Sequence, residues 1–155
     1  MRLFGIPSLP LALTLSGLIP FAAPAAVLWL APENAALQDR AGLGLLAYGA
    51  VILSFLGGVR WGAEINAQGS GGIPRAALLN LSMLGPLAGW GLVLWGAFAG
   101  LAWPLFAAMA GAHGLHAVWD ADGAGLPLWY RRLRRLAAGG AIAALAAAAA
   151  AYAVR

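Results

Sequence analysis

Residues 42–62, G-L-G-L-L-A-Y-G-A-V-I-L-S-F-L-G-G-V-R-W-G, run for twenty-one positions with a single charged side chain, Arg60. A helix of about 20 mostly apolar residues is what a hydrocarbon core of about 30 Å requires. Four more stretches meet that length, at about 9–30, 74–95, 101–119 and 136–154. None alternates apolar and polar residues with period two, so helices are predicted rather than barrel strands. Of the 155 residues, 63% are hydrophobic and 9% charged, where a soluble domain carries about a quarter charged residues. So little polar surface does not cover a globule in water. The expectation is an all-α polytopic membrane protein: one transmembrane helical domain over residues 1–155, five helices in a compact bundle.

The net charge of +4 comes from nine arginines, with lysine absent. No aromatic-interleaved basic face of the nucleic-acid-binding kind is visible, so the expected partner of this charge is anionic lipid and not nucleic acid. The chain has no cysteine, which removes disulfides, thiolate metal sites and cysteine nucleophiles. With five crossings, the N-terminus and the second and fourth gaps share a side. That side holds Arg2, Arg60, Arg75, Arg131, Arg132, Arg134 and Arg135, against Arg40 and Arg155 on the other. Arginine excess marks the cytoplasmic face, so the N-terminus is expected inside and the C-terminus outside. Arg2, the apolar run after it and A-A-P-A-A also mimic a secretory signal. A cut before Pro24 is chemically awkward, and the expectation is a retained helix kinked at Pro20.

In lipid, helices associate through close packing and interhelical hydrogen bonds. Ala50, Ser54, Gly58 and Gly62 fall four apart, and Gly85 and Gly89 repeat the spacing in the third span. Packing within the bundle is the expected use, with a dimer interface as the alternative. The last span, A-A-G-G-A-I-A-A-L-A-A-A-A-A-A-Y-A, is nearly polyalanine. Alanine is the best helix former but only marginally lipophilic, so this span is expected to press on other helices or on another protein. Codon drift in a high-GC genome accounts for the composition equally well.

One polar cluster stands out at the arginine-rich end. Arg60 and Glu64 are four apart at the end of the second span, with Trp61 at interfacial depth. The fourth span ends H-G-L-H-A-V-W-D, and His113, His116 and Asp120 lie within about 60° around a helix. With Arg131 they form a candidate inner-leaflet site of six residues. Ionisable groups inside a span default to a functional hypothesis. The plainer reading is a snorkelling Arg60–Glu64 pair and histidines bonded to neighbouring helices. Proton transfer through His116 and Asp120 is one functional reading, and haem or metal ligation by H-x-x-H another, though no third ligand is fixed by spacing. In W-Y-R-R-L-R-R, Trp129 and Tyr130 suit the headgroup region, and Arg131, Arg132, Arg134 and Arg135 each gain about 1 kcal/mol near an anionic leaflet. That segment is expected to be a loop pinned to the inner surface.

No nucleophile elbow, P-loop, dinucleotide fingerprint or H-E-x-x-H occurs, so no catalytic residues, resident metal or enzyme activity are predicted. S-G-L-I-P-F, Y-G-A-V-I-L-S-F-L-G-G-V-R-W-G and L-P-L-W-Y-R-R-L-R resemble the domain-of-unknown-function 3429 family, whose eukaryotic relatives are transmembrane-protein-69-like mitochondrial proteins. The resemblance covers most of the chain. Its marks fall on Gly57, Gly58, Arg60, Trp61, Gly62, Pro127, Trp129, Tyr130 and Arg132. It implies a small multi-pass protein of the bacterial inner membrane, with the C-terminus then periplasmic, and brings no settled activity. The two histidines lie outside its motifs. The leading expectation is therefore a non-catalytic accessory or assembly factor that binds a partner in an energy-converting membrane complex. The alternatives are a small-solute or proton-coupled transporter, and a haem- or quinone-binding protein using the polar cluster. No cofactor is predicted apart from the haem of that alternative.

Overall fold

Pro20 decides the shape of the first span. The computed structural model describes residues 2–3, 5–68, 76–121 and 127–154. Its first span is two helices, α1 (Ser8–Gly17) and α2 (Ile19–Leu30), broken at Leu18. Pro20 has no N–H to give the Ser16 carbonyl, so the α-helical ladder cannot run through this turn. The Phe21 N–H reaches the Leu18 carbonyl instead, which leaves the Gly17 carbonyl to the Tyr48 hydroxyl, donating at 2.9 Å. The kink expected at Pro20 is thus a break two residues earlier. Ahead of α1, β1 (Arg2–Leu3) and β2 (Ile6–Pro7) pair antiparallel, Leu3 opposite Ile6. Gly5 makes the turn at φ +76°, a backbone region open to glycine.

Of the remaining helices, α3 is Ala35–Gln68, α4 Ala76–Ala99, α5 Trp103–Ala121 and α6 Leu128–Ala153. α3, α4 and α6 are longer than the apolar runs that announced them, and α5 matches its run in length. α3 has 34 residues, about 51 Å at 1.5 Å each, against the twenty-one-residue run. It takes in all of the segment A-A-L-Q-D-R at 35–40, and the Asn34 side chain caps its start by accepting from the Leu37 N–H at 3.0 Å. Likewise W-Y-R-R-L-R-R is the first two turns of α6 rather than a loop. Pro127 precedes α6 in extended conformation, and its carbonyl accepts from the Tyr130 N–H. α4 runs on through G-A-F-A and stops at Gly100, φ +94°, the left-handed residue that commonly ends helices.

Among the described residues, four helical stretches are long and apolar enough to cross a membrane: Ser8–Leu30, Ala35–Asn66, Ala77–Ala99 and Leu128–Ala153. α5 is not among them, and it packs against both α4 and α6 in the bundle. The core joins Phe21 and Leu28 of α2, Leu45, Leu46 and Leu53 of α3, Phe106 and Met109 of α5 and Leu145 of α6. α6 contributes Ala138, Ala141, Ala148 and Ala151 to its buried face, spaced three or seven apart so that they share one stripe. These alanines are used inside the bundle, while Ala143, Ala146 and Ala150 stay exposed. Trp29 of α2 donates to the Ala147 carbonyl at 3.0 Å.

Candidate functional site

The α3–α4 crossing fixes where the polar cluster stands. Pro86 interrupts α4 and provides no N–H for the Ser82 carbonyl four residues back. Gly57 of α3 sits against that carbonyl: a Cβ there would collide with Ser82 O and stand 3.1 Å from Pro86 Cγ. The missing side chain lets the α3 backbone pack directly onto that carbonyl. Two turns away, a Cβ on Gly89 would lie 2.9 Å from Ala50 Cα, and between the two contacts one on Gly85 would be 3.4 Å from His116 Cδ2. Gly85, Gly89 and Ala50 are therefore at close approaches inside the bundle. Ser54, Gly58 and Gly62 are exposed, and nothing lies within 4 Å of a Cβ built on either glycine.

Just beyond this crossing, Arg60 reaches from α3 to the end of α5. Its Nη2 donates to the Trp119 carbonyl, one of the last four acceptors of that helix, which have no intrahelical partner. A cation is also favoured at this negative end of the helix dipole. The same guanidinium lies over the Trp119 indole, 4.4 Å from the ring centroid, a cation–π contact. On α5, one turn earlier, the His116 ring is 5.3 Å from the Trp119 ring at 57°. Arg60, Trp119 and His116 thus form one joint. Trp119 was absent from the six candidate residues, although its place three after His116 puts it on the same helix face.

The other candidates divide. Glu64 is buried one turn past Arg60, and Arg131 is half-buried on α6. Asp120 falls in the last turn of α5, and its side chain lies outside the described residues, as do Arg75 and Arg155. His113 does not join Arg60. It is 2% exposed, its Nε2 donating to the Gly49 carbonyl of α3 at 3.2 Å, with the Phe21 ring edge-on at 5.6 Å. The two histidines serve opposite sides: His113 lines a groove with Arg134, and His116 a groove of about 300 Å³ between α4 and α5. Among the described residues, no three His, Asp or Glu side chains are grouped to hold a metal ion.

The resemblance residues acquire positions too. Arg132 lies over the N-terminal hairpin, its Nη1 2.8 Å from where a Gly5 Cβ would stand. Trp129 and Tyr130 meet edge-to-face at 6.0 Å, and Trp61 is on the exposed surface. A family model described as "Protein of unknown function (DUF3429)" matches residues 6–150. No curated protein and no solved structure matches the chain.

Proposed function

The chain belongs to the DUF3429 family, whose description prescribes no activity, and from that premise we propose a role in binding rather than catalysis. It is a multi-pass protein of the bacterial inner membrane that holds another membrane protein, as an accessory or assembly factor of an energy-converting complex. All five rods cross, α5 included: its 19 residues span about 28 Å, and both its histidines are turned inward. The arginine-rich ends of α3 and α6 face the cytoplasm.

The observation that carries this reading is how the chain divides its polar and small residues. Arg60 and His113 donate to carbonyls of neighbouring helices and so serve the bundle itself. Ser54, Gly58 and Gly62, four apart on one face of α3, are turned outward with open space above the glycines. In lipid, such a small-residue face lets a second helix approach to backbone contact. The test is purification in mild detergent from the native membrane, comparing wild type with Gly58→Leu and Gly62→Leu. Subunits of one complex should co-purify in fixed ratio with the wild type and be lost from both variants, with thermal unfolding unchanged. A wild type that elutes alone, or variants that keep the partner, would refute the reading.

A further inference from the structure

A groove of about 370 Å³ lies between α1 and α2 on one side and α3 and α6 on the other. Leu13, Phe21, Ile52, Phe55 and Ala141 make it largely apolar. Two features set it apart from an ordinary lipid-facing crevice. Arg134 lines it while only 8% exposed, so a guanidinium is turned into the protein, whereas Arg132 and Arg135 on the same turns are exposed. Trp129 and Tyr130 line the same groove, at the end where headgroups meet aromatic side chains. From Trp129 to Ala141, both on its wall, α6 rises about 18 Å. That is close to one leaflet of a hydrocarbon core about 30 Å thick. In the proposed membrane setting the groove starts at headgroup level and ends near the middle of the bilayer.

We propose that this groove holds an acyl chain of one anionic phospholipid from the arginine-rich leaflet, with the lipid phosphate drawn to the Arg134 guanidinium. The planar fork of arginine matches phosphate oxygens two at a time. The apolar wall takes the chain, and the buried charge selects an anionic head over a neutral one. The assignment rests on the proposed membrane setting of the bundle and not on the protein partner.

Native mass spectrometry of the full chain, delipidated and returned to equimolar phosphatidylglycerol and phosphatidylcholine, tests the assignment. Phosphatidylglycerol should be retained over phosphatidylcholine by about tenfold, a difference of about 1.4 kcal/mol. Arg134→Ala should remove the preference. Ala137→Phe, which keeps the arginine and fills the groove, should remove the bound lipid. Arg135→Ala should leave both intact. Equal retention of the two lipids, equal loss with Arg135→Ala, or full retention by Ala137→Phe would overturn the proposal. So would a neutral isoprenoid quinone displacing the phospholipid from the wild type. If Arg134→Ala does not fold, Ala137→Phe decides alone.

Discussion

Gly57 and Gly58 are adjacent and have opposite duties. Gly57→Ala drives a methyl group into the Ser82 carbonyl, and overpacking of this kind costs about 1–3 kcal/mol. Gly58→Ala meets nothing and replaces the poorer helix former, so it should be neutral or stabilise by up to about 1 kcal/mol. Thermal unfolding in detergent should move down for the first and not for the second. Arg60 is the other residue whose place can be argued from both ends. Arg60→Ala removes a charged donor to the Trp119 carbonyl and a cation–π contact, for a loss of about 1–3 kcal/mol. Arg60→Lys should recover little of it, because an ammonium does not both lie flat on an indole and reach past it to a carbonyl. A lysine variant as stable as the wild type would count against the joint as described.

At the scale of elements, the break between α1 and α2 and the Tyr48 hydroxyl belong together. Proline at 20 removes a donor from the turn, and α3 supplies one from outside to Gly17. Tyr48→Phe should therefore cost about 1 kcal/mol, and less where the helix is mended. In a Pro20→Ala background the turn regains its own donor, so the two changes should be non-additive. A double-mutant cycle on unfolding in detergent measures this, and strict additivity would show that the two features are unrelated. The overlong α3 is a second element-scale result. At 34 residues it exceeds the hydrocarbon thickness, which a helix accommodates by tilting or by projecting past the interface. Its cap at Asn34 and its run to Gln68 put polar turns at both ends.

For the whole molecule, the helix order sets Asn34 and Asn66 at opposite ends of α3. The proposed orientation, with arginine-rich ends inside, puts Asn34 outside and Asn66 inside. The absence of cysteine makes this direct to test with single introduced thiols. A membrane-impermeant maleimide should label Asn34→Cys in intact cells and Asn66→Cys only after permeabilisation. The reverse pattern would invert the proposed orientation without altering the fold.

The amino-acid sequence by itself determined the solvent and the rods. Apolar runs of bilayer length between clusters of arginine leave a chain little choice but to close its backbone hydrogen bonds as helices in lipid. Proline at 20 announced the interruption of the first span for the same local reason. Helix ends were less legible: the polar turns of α3 and α6 carry no apolar signal, and capping by Asn34 and Pro127 decided them. The candidate site was legible only in its residue types. Spacing put Arg60 with Glu64 and His113 with His116, because helical periodicity is local. Which neighbour each faces depends on helix rotation, set by the fit of Gly57 on Ser82 and Gly89 on Ala50. That rotation sends Arg60 to Trp119, His113 to Gly49 and Arg134 to the groove. It also turns Gly58 and Gly62 outward. Contacts between distant segments arise only when the helices pack, so tertiary structure alone decided them.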